Sequence, residues 1–551
     1  MPDRRIALVA VDAQWRDPNG TFYSFSYGIE KLRASIRSAP DLADTEVLLL
    51  DLRSGDPEAY FEAIAEFRPT MVGLSTYIWS LAIYAELTER LRRWDPGLPI
   101  VAGGPAARRS VLELAPHRAL RDRLDAIVPG EGEEVIRSLV RTHLEPGWQK
   151  TVPGLDVPVR GMWRRSGPAE RPDIESYASP YQLGLAPLGK TGYVETFRGC
   201  PISCAFCQWG DERADRVHSV DYLASHLEGL RGADVPNVFF LDAAFNLSPR
   251  GFRNLVDAER RVGVLRDAVV HGHLYPTFLK DEHLAFFDSV HRVQASVGIQ
   301  SFDEAVLKRL GRPFDVKRFE RMVQVMRGRL DVDIELIFGL PGDSPESFRY
   351  TLERSMELGH TVKVFRCLVL PDALIERADE LSIDFDPRTF ELRSCEGWSP
   401  EDLEREWARV VEIASGFSRP ILNDDWVGFP VVPSEERPSA GAPPPAPPPM
   451  PADAVHRLRG VVEHAADGWA LSAVRREHEA LLFDLTGPDG AIVLEVVPLV
   501  DGEMCFASRD GLAYSHRGPL PHQSTPGLRR VIEAVHGDAL TAVGAEAGRC
   551  A

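Results

Sequence analysis

The segment YVETFRGCPISCAFC, Tyr193–Cys207, places Cys200, Cys204 and Cys207 within eight residues, directly after a run that reads as a β-strand. The other four cysteines, Cys367, Cys395, Cys505 and Cys550, are scattered. An odd total of seven argues against a fully paired disulfide framework. Three thiolates on one short loop suit three corners of a cubane iron–sulfur cluster and leave its fourth iron without a nearby protein ligand. The alternative is a structural zinc site completed by a remote residue such as His218 or Cys367. Such zinc loops come as two paired ligand sets, and one set is present here.

Downstream of this loop the sequence continues as an α/β series. NVFFLDAAF, AVVHGHLY, VQASVGIQS, DIELIFGLPG and KVFRCLVLP read as strands, with helical stretches such as SVDYLASHLEGL and PESFRYTLERSMEL between them. Together with YVETF they give six strands, the expectation for a partial or complete (β/α)6 barrel over 189–432, whose site forms from strand ends and the loops after them. FELRSCEGWSPEDLEREWARVVEIA ends as an amphipathic helix expected to close the barrel. His271 and His273 alternate on one strand, with Tyr275 close by, so one face presents either histidine near the barrel mouth.

Upstream, the first 145 residues form another α/β series. RRIALVAVD, TEVLLLDLR, TMVGLST, LPIVAGG and LDAIVPG are apolar runs, alternating with helical segments such as YGIEKLRASIRSA and PEAYFEAIAEF. Continuous apolar strands predict a parallel, Rossmann-like (flavodoxin-like) sheet covered on both faces, with any ligand beyond the strand ends. Neither G-x-G-x-x-G after the first strand nor a G-x-x-x-x-G-K-[ST] loop is present, which weakens dinucleotide and P-loop readings. Residues 146–188 are Pro/Gly-rich and read as a connector. Residues 433–452 hold nine prolines and read as an extended spacer. Residues 453–551 read as a small α+β unit with a hairpin around Pro488-Asp489-Gly490 and a helix over TPGLRRVIEAVHG.

With 63 Lys and Arg against 82 Asp and Glu, the formal charge of the 551 residues is −19. That balance argues against general binding to nucleic acid or to anionic membranes. No run approaches the ~20 apolar residues of a membrane span, and the start turns acidic too early for a signal peptide, so the cytoplasm is the expected location.

C-x-x-x-C-x-x-C with an aromatic before the last cysteine resembles the signature of radical S-adenosylmethionine (radical SAM) enzymes. VFFLDAAFNLSP, VGIQSFDEAVLKRLGRP and DIELIFGLPGDSPESF resemble, in order, the second-, fourth- and fifth-strand segments of that superfamily. The resemblance implies that Cys200, Cys204 and Cys207 bind a [4Fe–4S] cluster whose open iron SAM chelates. It places Phe206 near the adenine, Asp242 and Asn246 at the methionine end, and Gln300 and Glu335 on the ribose or carboxylate side. Bland roles exist for two of these: Asn246 as a helix cap and Gln300 as a partner for backbone.

In front of such a barrel, the amino-terminal pattern resembles the cobalamin-binding domain of the B12-dependent radical SAM subgroup. The pieces that carry it are VGLST (72–76), IVAGGP (100–105) and VPGEGE (128–133). The resemblance implies cobalamin contacts at Ser75, Thr76, Tyr77, Trp79, Gly103, Gly104, Gly130, Glu131 and Gly132. D-x-H-x-x-G, whose histidine ligates cobalt in other cobalamin domains, is lacking. The resemblance to the subgroup implies cobalamin bound base-off without a histidine ligand, its lower face against Tyr77–Trp79, where weak ligation eases reduction to Co(I). The first loop, Asp12 to Phe25, departs from the Pro-rich pattern usual there.

The implied activity is that of a class B-like radical SAM C-methyltransferase. One SAM methylates Co(I), a second yields the 5′-deoxyadenosyl radical, and the substrate radical takes the methyl group from methylcobalamin. The implied substrate is a specialised metabolite or a peptide, and a flavodoxin- or ferredoxin-like donor supplies electrons. The alternatives are B12-dependent rearrangement or cyclisation without methyl transfer, and a radical SAM enzyme whose amino-terminal domain has lost cobalamin.

Overall fold

The computed structural model describes residues 4–11, 25–52, 55–211, 216–417 and 420–431, together with Arg459, Val462 and five strands between 470 and 515. Most of the first loop (12–24), the proline-rich stretch, Pro488–Asp489 and the expected carboxy-terminal helix lie outside the described residues. The chain divides into two compact units, one of residues 1–10, 22–50 and 61–437, the other of 11–21, 51–60 and 438–551.

The first unit opens with strands β1 (Arg5–Val11), β2 (Glu46–Leu52), β3 (Met71–Ser75), β4 (Ile100–Gly103) and β5 (Ala126–Val128). Their order is β2-β1-β3-β4-β5, with β1, β3, β4 and β5 parallel. This is the flavodoxin-like order, and it follows from strands that are apolar throughout: six of the seven β1 residues are buried. Ile29 and Ile36 of the helix Tyr27–Arg37, and Val135, Leu139 and Val140 of the helix Glu133–Arg141, cover one face. On the helix Leu81–Trp94, buried Tyr84 brings its hydroxyl 3.0 Å from both the Val9 and Ser75 carbonyl oxygens, fixing β1 against β3.

The segment 146–188, expected as a connector, extends this sheet. Strands β6 (Asp156–Val159) and β7 (Met162–Arg165) form an antiparallel hairpin beside β5. The reason is one buried carboxylate. Asp156 takes two 2.6 Å hydrogen bonds from Arg109 and one of 3.1 Å from Arg165, and Val157 joins the core with Trp148 and Leu155.

The second sheet begins with β8 (Gly192–Val194), followed by the short antiparallel pair β9 (Phe197–Arg198) and β10 (Arg216–Val217) that brackets the cysteine loop. Strands β11 (Asn237–Phe240), β12 (Val269–His273), β13 (Arg292–Gln300), β14 (Asp331–Phe338) and β15 (Thr361–Arg366) continue it in parallel and in chain order. A small antiparallel pair, β16 (Asp384–Phe385) and β17 (Leu392–Ser394), precedes β18 (Ile421–Leu422) and β19 (Trp426–Pro430), and β19 pairs antiparallel with β15. The sheet runs from β8 to β18, and among the described residues these edge strands do not pair, so the barrel is partial. The helix Pro400–Ser415, expected to close it, packs Trp407 against Phe338 in the core, ring centroids 5.4 Å apart.

Alternation assigns the two faces. Val293, Ala295, Val297 and Ile299 are buried on the helix-covered side of β13; Gln294, Ser296, Gly298 and Gln300 line the concave side. A Cβ added at Gly192 would meet Leu230 and Val235, so Tyr193 and Glu195 fall on the opposite side. There Tyr27 packs on Tyr193, centroids 5.2 Å apart, and Lys31 donates to Glu195 at 2.9 Å. The helix Tyr27–Arg37 of the first sheet thus lies against the start of the second. In the other unit, β20 (Ala470–Glu477), β21 (Ala480–Gly487), β22 (Gly490–Pro498), β23 (Met504–Ser508) and β24 (Ala513–Ser515) form an antiparallel meander.

Candidate active site

The cysteine loop leaves β8 under tight control. Asp242, buried after β11, accepts hydrogen bonds from the Thr196 amide (2.8 Å), the Phe197 amide (3.2 Å) and the Thr196 hydroxyl (2.8 Å). Ala205 N–H donates to the Leu310 carbonyl at 2.8 Å, and Cys207 N–H to the Cys204 carbonyl at 3.1 Å. Gly311 has φ +72°, and a Cβ there would stand 2.6 Å from the Ser203 carbonyl oxygen, so only glycine permits this approach.

The three thiols lie within electrostatic reach of one another. Cys204 is buried and Cys200 and Cys207 are half-buried. Burial pushes the Cys200 and Cys207 thiols up, the neighbouring cysteines add to this, and the amides of Ile202 and Trp209 pull back. Thiols held protonated in this way release protons when metal binds, so occupancy and deprotonation are linked. Among the described residues no three His, Cys, Asp or Glu side chains are placed to hold a single metal ion. Of the two zinc completers considered, His218 is engaged, its nitrogens 3.8 Å from Glu175 and 3.9 Å from Glu195, while Cys367, just after β15, packs in the same apolar cluster as Cys204 and Phe206, where burial pushes its thiol up.

Arg312, absent from the sequence-based expectations, supplies the strongest fit to an anionic group at this loop. Its guanidinium donates to Cys204 Sγ at 3.7 Å and to the Gly298 carbonyl, and lies over the Tyr275 ring at 4.8 Å. Its Nε is buried without a hydrogen-bond partner. A buried orphan donor on a cation beside thiols suits a thiolate-ligated cluster and a carboxylate bound next to it. The only sequence signal was its place in LGRP at the end of the fourth-strand segment.

The residues expected around SAM divide in two. Asp242 and Asn246 brace strand ends. Both Asp242 oxygens are engaged as above, and burial pushes its carboxyl up to about 7. Asn246 donates to the Tyr275 carbonyl (2.8 Å) and accepts from the Tyr275 amide (2.9 Å); Ser248, not Asn246, caps the helix Pro249–Val262. Phe206, Gln300 and Glu335 sit differently. Phe206 is buried with Leu340, Val369 and Leu374. Gln300 ends β13 at φ +71°, after a bulge, a strained backbone of the kind found at functional sites. Glu335 lies on the concave face, 3.9 Å from His273 Nε2. Deeper on that face Asp333 accepts from Gln294 (3.0 Å) and Lys363 (2.8 Å), and burial drives His271 down to about 4, keeping it neutral.

On the first sheet, the expected cobalamin residues line up at the ends of β3, β4 and β5. Thr76 N–H donates to the Gly103 carbonyl at 2.7 Å and Ala106 N–H to the Thr76 carbonyl at 3.0 Å. Gly104 has φ +96°, and a Cβ there would lie 2.9 Å from the Thr76 oxygen, while Gly130 faces open space. Tyr77 and Trp79 stack at 4.4 Å and 14°, both half-buried, so Trp79 is not a core residue. Small strand ends beside a flat aromatic pair fit a corrin and its tail. Neither histidine of this domain is offered as a ligand: His117 Nε2 lies 2.7 Å from the Pro387 carbonyl, and His143 pairs with Arg4. Glu131 is held in ion pairs with Arg198 and Arg216.

Residues 194–354 match the family model of the radical SAM superfamily, and residues 28–140 match that of the B12 binding domain. The chain carries a radical SAM domain and a B12-binding domain. Cys200, Cys204 and Cys207 fall in the first match, and the strand ends of β3–β5 in the second. A radical SAM domain implies a [4Fe–4S] cluster and SAM, and a B12-binding domain implies cobalamin. The chain is 29% identical to the 2-(S-pantetheinyl)-carbapenam-3-carboxylate methyltransferase of Streptantibioticus cattleyicolor, over 65% of this chain and 55% of that one. It is 27% identical to the cobalamin-dependent radical SAM methyltransferase TokK of Streptomyces tokunonensis, over 57% and 49%. It thus spans about half the length of these relatives. The fold is shared with the radical SAM methyltransferase TsrM of Kitasatospora setae (TM-score 0.56, 20% identity, 75% of this chain and 89% of that chain). It is also shared with the cobalamin-dependent SAM radical enzyme OxsB (TM-score 0.51, 17% identity, 76% and 62%).

Proposed function

We propose that this radical SAM protein is a cobalamin-dependent C-methyltransferase that methylates an unactivated carbon of a small metabolite or peptide. The observation that carries this is the meeting of its two cofactor loops. Gln208, the residue after Cys207, donates to the Pro105 carbonyl at 3.3 Å, and Arg198, two residues before Cys200, donates to Glu133 beside Gly132. Two reactive groups held on adjoining loops serve a transfer between them, since proximity removes much of the entropic cost of a two-component step. That both first-matched relatives carry methyltransferase names supports the same reading.

When bound, the cluster supplies one-electron cleavage of SAM to a 5′-deoxyadenosyl radical, and cobalamin supplies the methyl group. The chain's residues do the rest. Cys200, Cys204 and Cys207 hold the cluster. The free Nε of Arg312 and the Gln300 amide take the SAM carboxylate, Glu335 its ribose, and Phe206 flanks its adenine. Ser75, Thr76, Gly103, Gly104, Gly130 and Gly132 receive cobalamin, and Tyr77 and Trp79 close its lower side without offering a ligand. The concave wall of Phe239, His273, Ser296 and Phe365 receives the substrate. A flavodoxin- or ferredoxin-like protein delivers the electrons.

The test is an anaerobic assay of the reconstituted protein with SAM, a low-potential reductant and a panel of metabolites and peptides. Methyl transfer yields S-adenosylhomocysteine and 5′-deoxyadenosine together. Deoxyadenosine alone, in protein carrying cobalamin, overturns methyl transfer in favour of rearrangement or cyclisation.

A further inference from the structure

The buried charges around Arg198 form a bridge between the stretch leading into the cysteine loop and the turn after β5. The Arg198 guanidinium donates to both oxygens of Glu195 at 2.9 Å and to Glu133 Oε1 at 2.9 Å, and lies 3.3 Å from Glu131. Lys31 adds a 2.9 Å bond to Glu195 and lies 3.8 Å from Glu133. Arg216, the β10 residue paired with Arg198 across the loop's neck, also binds Glu131. Three cations thus meet three carboxylates. Lys31, Glu133, Glu195 and Arg198 expose no more than 15% of their side chains. His218 and, beyond it, Glu175 face the cluster from the β10 side. Buried charges are costly unless paired, and a planar guanidinium serves two carboxylates at once where an ammonium cannot.

The placement gives the bridge a consequence. Glu195 and Arg198 belong to the stretch that leads into Cys200; Glu131 and Glu133 flank Gly132, at the end of the cobalamin-side strand β5. Arg198 is one guanidinium joined to both.

We propose that Arg198 is a positioning residue that fixes the separation of the cluster-bearing and cobalamin-bearing loops. The inference rests on the two-cofactor reading above. Each loop has its own anchors (Asp242 and Leu310 for the cysteines, Thr76 and Gly103 for the strand ends), so each cofactor still binds without the bridge. What the bridge holds is their mutual distance.

The test is pulsed dipolar EPR on the full chain loaded with cluster and cobalamin and reduced with dithionite, which reads the distance between cob(II)alamin and the reduced cluster. The variants are Arg198→Lys and Arg198→Met combined with Glu133→Gln. The double change keeps the remaining buried charges balanced, two against two, so that it folds where Arg198→Met alone leaves an unpaired carboxylate. The expected result is a single narrow distance in the native protein, broadened by Arg198→Lys and lost into a wide distribution in the double variant. Iron and cobalamin contents stay at native levels. An unchanged narrow distribution in the double variant overturns the proposal, as does loss of either cofactor on replacing Arg198, which makes it a binding residue. A native protein that takes up no cobalamin gives no dipolar signal, and this separate outcome overturns the two-cofactor reading and this inference with it.

Discussion

The Arg312 guanidinium donates to Cys204 Sγ at 3.7 Å while the ring of Tyr275 lies against it, its centroid 4.8 Å from the guanidinium carbon. The contact joins a cation from the segment after β13 to a cysteine on the loop after β8. A positive charge beside thiolates stabilises the more negative, reduced state of a cluster they hold, and the unpartnered Nε is free for a carboxylate. Arg312→Ala is therefore expected to retain iron, to shift the cluster's midpoint potential to more negative values, and to weaken SAM binding about tenfold or more, from the ~1.5–3 kcal/mol of a hydrogen bond to a charged group. Potentiometric EPR and SAM titration of the EPR spectrum check this. A native potential with native SAM affinity would sink it.

Asp242 makes a second, opposite kind of prediction. Burial raises its carboxyl to about 7, from an ordinary 3.8, against the pull of three hydrogen bonds. A raised pKa means the folded chain holds the proton more tightly than the unfolded one. The contribution to stability is full below about 4 and is lost as pH rises through about 7. Asp242→Asn keeps an oxygen for the Thr196 and Phe197 amides and turns its amide toward the Thr196 hydroxyl, without the buried charge. Thermal unfolding of the apoprotein is expected to show the variant more stable than native at pH 8, with the gap closing toward pH 5. A variant less stable at both pH values would mean that the charge itself anchors the loop.

The parallel sheets were legible because short apolar-rich runs recur between helical stretches, and the cluster loop because three cysteines at fixed spacing leave few alternatives. The hairpin of β6 and β7 was not legible. Met162, Arg164 and Arg165 face solvent, and its attachment depends on Asp156 meeting Arg109, 47 residues earlier. Arg198 and Arg312 escaped notice for the same reason: single basic residues have no periodicity, and their partners lie 65 and 108 residues away. Asp242 and Asn246 were found as chemically special, but the hydrogen bonds they make are with main chain and, for Asp242, the Thr196 hydroxyl. A sequence does not show which donors a buried oxygen will face, because strand register decides it.

Gly104 tests the cobalamin side. Its φ of +96° and the 2.9 Å approach to the Thr76 oxygen leave no space for a side chain. Gly104→Ala adds strain of about 1–3 kcal/mol at the loop that joins β4 to the Thr76 carbonyl. Retention of hydroxocobalamin through gel filtration is expected to fall sharply, while iron uptake by the separate cysteine loop remains native. Equal losses of both would show that the substitution unfolds the unit rather than the loop.

Tyr77 and Trp79 stack at 4.4 Å beside the ends of β3 and β4, and in the proposed function they lie beneath the lower face of cobalt. Neither carries a nitrogen base, and His117 and His143 are engaged elsewhere. Bound cob(II)alamin is therefore expected to show an EPR spectrum without nitrogen superhyperfine splitting. Trp79→Ala removes one ring of the stack, and with it the cover over the metal, so cobalamin binding weakens and water gains access. Trp79→His places an imidazole where the indole stood. A new triplet splitting in the cob(II)alamin spectrum is expected, together with a midpoint potential for cobalt shifted to more negative values, because a nitrogen ligand stabilises the higher oxidation state. Nitrogen splitting already present in the native protein would mean that the cofactor's own base or another residue ligates cobalt, and would overturn the role given to the aromatic pair.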